Sequence, residues 1–282
     1  MSEFFQALFD PDVPFVRYAM LVGVLSSVSL GIVGSYVVTR RITYIAAAIA
    51  HCVLGGIGAA LYLNKVIGFS WCDPIYGALV AAIVAALIIG LVSIYAKQRE
   101  DTVISAVWAL GMAVGLLFFV KIPGFVDPMS YLFGNILLIS PRDLWLVLGL
   151  DLVVAAVGVG FYNKFLALCF DEEFAALRGV QAKVFYLILL CLIALTVVLL
   201  VRVVGIILVI ALVTLPPAMA GFFSRQLWQM MLLAVFFCAA AVAAGLAASY
   251  PLDLPSGPVI ILLAGSAYLL TTIACRLFRK FR

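Results

Sequence analysis

An all-α polytopic membrane protein, with about eight or nine transmembrane helices, is the fold class predicted by this chain of 282 residues. Three observations carry that reading. Hydrophobic residues make up 67% of the chain and charged residues only 11%, against about 25% charged in an ordinary soluble domain. The apolar residues run on without a break for the length that a hydrocarbon core of roughly 30 Å demands, about 20 residues per helix. They do not alternate with polar residues, which argues against a transmembrane β-barrel.

In chain order the predicted spans are 17–38, 42–63, 74–96, 102–120, 144–164, 184–201, 204–222, 228–248 and 257–276. Only "VRVVG" separates the sixth from the seventh, so one of these is a broken or re-entrant segment if the count is eight. The opening "MSEFFQALFDPDVPF" has no basic stretch ahead of an apolar one and no small-residue cleavage site, so the first span is expected to direct insertion. Counted by alternate loops, twelve of the 17 Lys and Arg fall on one side and five on the other. The richer side is expected to be cytoplasmic, which puts the N-terminus outside and the C-terminus inside a multi-pass cell (inner) membrane protein. The formal charge of +4 reports this orientation and not nucleic-acid binding. Five of the six cysteines lie in or beside apolar runs and Cys72 stands in a polar loop, so neither a disulfide framework nor a CxxC zinc site is readable.

Two loops are long enough to have structure of their own. Residues 121–143, "KIPGFVDPMSYLFGNILLISPRD", are expected outside, with "YLFGNILLI" dipping into the membrane or lying on it. Residues 169–184 are expected in the cytoplasm. There Asp171 reads as a helix N-cap, Glu172 and Glu173 favour the N-terminal dipole, and Gly179 is a stop. The alternatives for this stretch are a short amphipathic helix that docks a soluble partner and a solvated turn.

The only histidine, His51, sits in "IAAAIAHCVLGG" of the second span. Ala47, His51 and Gly55 share a helix face, which Gly58 continues. Such a face of small residues lets another helix approach closely. A rise of roughly 1.5 Å per residue from position 42 puts the imidazole about 13 Å deep, near the midplane. A titratable group at that depth marks a functional site, or else a neutral ring bonded to a neighbouring carbonyl or hydroxyl. Pro216 and Pro217 remove two backbone donors from the seventh span and must bend or break it, freeing carbonyls that only protein or water can cover. The four tryptophans, Trp71, Trp108, Trp145 and Trp228, read as interface anchors.

Six stretches together resemble the membrane permease subunit of ABC-type metal-ion importers, the zinc and manganese uptake systems. They are "GSYVVTRRITYIAAAIAHCVLGGIGAALYL" at 34–63, "EDTVISAVWALGMAVGL" at 100–116, "SYLFGNILLISPRDL" at 130–144, "FDEEFAALRGV" at 170–180, "VVGIILVIALVTLPPAMAGFFS" at 203–224 and "DLPSGPVIIL" at 253–262. The resemblance covers nearly the whole chain. It implies a single permease domain over 1–282, a homodimer with the second copy of the permease, a partner dimer of cytoplasmic ATP-binding subunits and an extracytoplasmic metal-binding protein. It implies that the helix at about 171–179 couples to the ATPase through Asp171, Glu172, Glu173, Phe174, Ala175, Leu177 and Gly179. No GxxxxGK[ST] phosphate loop is present, as expected of a chain that is not itself an enzyme. No permanently bound cofactor is expected, only the transported Zn²⁺ or Mn²⁺, with a slight preference for zinc from the imidazole.

Relatives of this kind read G-D-x-L-[SA]-H-x-x-L-x-G around the histidine, with the aspartate and histidine both facing the metal route. Here His51 is kept, but Ala47 stands in the aspartate's place and Ala46 in the glycine's. A lone imidazole binds a divalent ion more weakly and brings no negative charge to offset its dehydration. Three explanations compete: weak coordination suffices for a conduit, another acid substitutes, or the cargo is a metal chelate. Asp151, roughly 10 Å deep in the fifth span, is the candidate acid, the alternative being an acid bonded to a nearby helix. Cys52 points about 100° away from His51 and reads as packing, and Asp101 as a helix cap. An ion-gradient-driven secondary transporter is the alternative of a different class, favoured only by Asp151.

Overall fold

The computed structural model describes residues 14–69, 71–95, 100–123, 129–134, 141–177 and 179–280. Among these, nine helices are long and apolar enough to cross a membrane. In chain order the α-helices are α1 (Pro14–Arg40), α2 (Thr43–Tyr62), α3 (Pro74–Tyr95), α4 (Glu100–Lys121), α5 (Met129–Phe133), α6 (Pro141–Gly160), α7 (Tyr162–Phe170) and α8 (Glu172–Leu177), then α9 (Ala182–Val204), α10 (Ile206–Phe223), α11 (Leu227–Ser249) and α12 (Ser256–Lys280). Contacts group the chain into two compact units, one of Met1–Val38, Phe133–Gly160 and Val203–Arg282, the other of Thr39–Leu132 and Phe161–Arg202.

In the first unit, α1 buries Ser26, Ser27, Ser29 and Ser35. Lipid offers a hydroxyl nothing, so three of these bond back to their own helix: Ser26 to Val22 O at 2.7 Å, Ser27 to Gly23 O at 2.9 Å and Ser35 to Gly31 O at 2.7 Å. Pro216 and Pro217 lie inside α10, which stays one helix. The N–H that Pro217 lacks would have bonded Val213 O, and a Cβ on Gly34 of α1 would sit 2.4 Å from that same oxygen. The freed carbonyl is therefore covered by the backbone of α1, so these prolines pack a helix interface and do not break the span.

The close succession of the sixth and seventh spans resolves at Gly205, whose φ of 89° ends α9 and lets α10 start. A Cβ there would lie 2.3 Å from Gly134 N, and Gly134 itself has φ 65°. Two glycines thus meet backbone to backbone, which fixes the end of α5 against the helix break. Of the expected external loop 121–143, residues 124–128 and 135–140, the latter including most of "YLFGNILLI", lie outside the described residues.

The fifth span ends earlier than expected, at Gly160 and not near 164. Tyr36 of α1 donates its hydroxyl to Gly158 O at 2.6 Å, the carbonyl that a continued helix would have offered to Tyr162 N–H. The chain turns at Phe161 and restarts as α7.

In the second unit, α2 packs between α3 and α4 through glycines. A Cβ on Gly56 would sit 2.1 Å from Gly77 O on α3; Cβ atoms on Gly55 and Gly58 would sit 2.6 Å and 2.8 Å from Gly111 O and Gly115 O on α4. The small-residue face expected of the second span is therefore, at Gly55 and Gly58, a close contact with α4, and Gly56 makes another with α3.

Candidate functional site

The chain enters α2 through Arg41 at φ 61° and Ile42, whose carbonyl accepts from Ala46 N at 3.2 Å. Two turns on, His51 is half-buried, and its Nδ1 lies 2.9 Å from Ala47 O. A carbonyl can only accept, so Nδ1 carries the proton and Nε2 keeps the lone pair in the neutral ring. That is how a metal-binding histidine is held, with one nitrogen committed to a backbone oxygen and the other available. The residue that departs from the expected ligand pair, Ala47, thus still orients the imidazole, through its main chain.

Trp108 of α4 stacks on the His51 ring, with centroids 4.4 Å apart and planes at 28°. Tyr44, on the same face of α2 towards its N-terminus, tilts against Trp108 at 5.6 Å, and its hydroxyl bonds Ser105 Oγ at 2.6 Å. Gly55 and Gly111 make the α2–α4 approach close enough for this stack. Trp108, read from the sequence as an interface anchor, thus covers the His51 ring. Its place in mid-span, and not at an edge, is the signal that could have found it. Cys52 donates to Val107 O at 3.1 Å and is buried, in keeping with packing. Among the described residues no three His, Cys, Asp or Glu side chains are grouped so as to hold a metal ion.

Asp151 lies in the other unit, on α6. Its Oδ1 accepts from both the backbone N–H, at 3.2 Å, and the hydroxyl of Ser29. Its Oδ2 is buried without a hydrogen-bond partner among the described residues. The acid is thus bonded to a neighbouring helix and has one oxygen uncommitted.

The short helix expected at about 171–179 forms as α8, over Glu172–Leu177. Asp171 is extended (φ −155°, ψ 106°) and its carbonyl accepts the first helical bond, from Ala175 N at 3.0 Å. Gly179, at φ 77°, closes it: Gly179 N donates to Ala176 O and Val180 N to Ala175 O, each at 3.0 Å. Ala175 is fully buried, while Leu177 is 87% exposed, an apolar side chain held out from a short helix. The side chains of Glu173 and Phe174 lie outside the described residues. Glu172 is bound by Arg40, a contact that sequence reasoning did not foresee because a basic residue at a span end already satisfies the orientation rule. Beside α8 a cavity of about 760 Å³ is lined by Arg40, Ser93, Gln181, Lys183 and Tyr186 among others. Burial pushes the Cys169 thiol of α7 up to about 11 even though the Arg40 charge opposes the shift.

The family model for the ABC 3 transport family matches residues 12–275. The chain belongs to that family. Over 264 residues, 93% of this chain and 90% of the relative, it is 39% identical to a Chlamydia trachomatis protein named "Probable metal transport system membrane protein". It is 31% identical, over 91% of this chain and 86% of the other, to the manganese transport system membrane protein MntC of Halalkalibacterium halodurans. Among solved structures it is similar to PsaBC from Streptococcus pneumoniae in complex with Fab, with a TM-score of 0.83 and 27% identity over 96% of this chain and 94% of that one. Members of the ABC 3 family of this kind are permease subunits and not catalysts, with ATP hydrolysis in a separate subunit.

Proposed function

We propose that this chain is the permease of an ATP-driven importer of a divalent metal ion, and that 1–282 acts as a single permease domain paired with a second copy. The ion passes His51 Nε2 by alternating access, received outside from a metal-binding protein and released inside as a dimer of ATPases acts on α8. The protein sits in the cell membrane with its N-terminus outside and its C-terminus in the cytoplasm. The observation that carries the reading is the imidazole held by Ala47 O, its second nitrogen without a hydrogen-bond partner among the described residues, on a glycine-lined face of a membrane helix. Relatives from Halalkalibacterium halodurans and Listeria monocytogenes are named for manganese transport, so manganese takes the place of the zinc that one imidazole alone had suggested.

With a single imidazole per subunit the site is weak, which suits a conduit that must release what it binds. Asp151 has only its Oδ2 to contribute, since Ser29 holds the other oxygen. At α8, Asp171, Ala175 and Gly179 set the helix, Glu172 anchors it, and the exposed Leu177 is offered to the ATPase. The test is reconstitution with the cognate ATPase and binding protein. Manganese accumulation that needs ATP, and is competed by zinc only at higher concentration, is expected. Accumulation driven by a proton gradient without ATP contradicts the reading. An Asp151→Asn variant with unchanged manganese affinity removes that residue from the route.

A further inference from the structure

Arg40 is the last residue of α1, and Arg41 and Ile42 alone separate it from α2, the helix that carries His51. Its guanidinium has three engagements in one place. It donates to Leu168 O at 2.6 Å, pairs with the Glu172 carboxylate, and lies 5.5 Å over the ring of the buried Tyr186. Leu168 O is one of the last carbonyls of α7, which have no partner inside that helix. Glu172 is the first residue of α8. One planar group therefore closes the corner at Asp171 between α7 and α8 and roots it on α9. Its other end is short and stiff: Ile42 O accepts from both Ile45 N at 3.1 Å and Ala46 N at 3.2 Å.

We propose that Arg40 is the positioning residue that makes α8 and α2 move together, so that displacement of α8 by the ATPase reaches the helix bearing His51 through three consecutive residues. The proposal rests on the reading of α8 as the ATPase contact. The Arg40 and Glu172 side chains are 20% and 43% exposed, so the ion pair taken alone is screened and weak. The strength lies in the fork: two parallel donors and a stacking face, which an ammonium cannot reproduce.

The experiment uses the complete transporter in liposomes, with Mn²⁺ as the cargo and two readings: stimulation of ATP hydrolysis by the binding protein, and Mn²⁺ delivered per ATP. In Arg40→Ala both fall about tenfold, on the scale of one charge-assisted hydrogen bond, while the ATPase still co-purifies. Arg40→Lys falls nearly as far, and adding Glu172→Ala to Arg40→Ala lowers neither reading further. An unchanged ratio in Arg40→Ala, or full rescue by Arg40→Lys, overturns the proposal. If Arg40→Ala does not fold, Arg40→Lys decides: reduced stimulation supports the link and stimulation equal to the parent's overturns it. A parent that delivers no manganese contradicts the cargo reading instead, and the stimulation ratio still decides the role of Arg40.

Discussion

Gly55 lies one turn beyond His51 on the same face of α2, and a Cβ there would sit 2.6 Å from Gly111 O of α4. The obstacle is backbone and cannot rotate away. Restoring an ordinary contact of 3.4 Å needs α2 and α4 to separate by about 0.8 Å at this point. Overpacking of this kind costs about 1–3 kcal/mol. The same movement draws Trp108, which precedes Gly111 by one turn of α4, away from the ring it covers. A stack with centroids now 4.4 Å apart opens to roughly 5 Å. Gly55→Ala is therefore expected to lower both the thermal midpoint of the detergent-solubilised protein and its manganese transport. Gly149→Ala on α6 is the control, because a Cβ there meets nothing within 4 Å and removing a helix glycine gains about 0.5–1 kcal/mol. Circular dichroism melts and reconstituted uptake read the two effects. A Gly55→Ala protein as stable and as active as the parent refutes the close-packed α2–α4 seam.

Ala47→Asp puts a carboxylate one turn from His51, on the same face, while leaving the carbonyl that holds Nδ1. Manganese affinity rises roughly tenfold, or about 1.4 kcal/mol, and turnover falls, as concentration-dependent uptake will show. Trp108→Phe keeps a ring over the imidazole and retains most activity, whereas Trp108→Ala loses a stack of about 0.5–1.5 kcal/mol and a large part of transport. At Cys169 the folded value is raised from 9.0 to about 11, so the folded protein keeps a proton that the unfolded chain releases between those values. Stability from this group is intact below about pH 9 and falls as pH climbs towards 11. Maleimide labelling at pH 8 is expected to be slow until the protein is unfolded.

Composition and run length made the membrane fold legible, because each helix must satisfy its backbone internally and so leaves an uninterrupted apolar stretch. The α8 helix was legible at its ends, since Asp171 is the extended residue whose carbonyl accepts the first helical bond and Gly179 takes the left-handed stop. The close approach around His51 could be read from the spacing of Gly55 and Gly58. Its partner could not, because α4 meets α2 only through tertiary packing, and nothing in the local sequence pairs Trp108 with His51. The early end of α6 was equally hidden: it depends on a hydroxyl from Tyr36, more than a hundred residues away. Arg40 shows the same limit, since its charge explained topology and concealed a second role at the α7–α8 corner.

Passage of the ion by His51 is the step on which this transport route depends. It is tested most directly by manganese accumulation in membranes carrying the complete transporter, with the parent and His51→Ala present at equal levels. The parent is expected to accumulate manganese in an ATP-dependent way, and His51→Ala to lose nearly all of it while ATP hydrolysis persists. Equal accumulation by the two would contradict it.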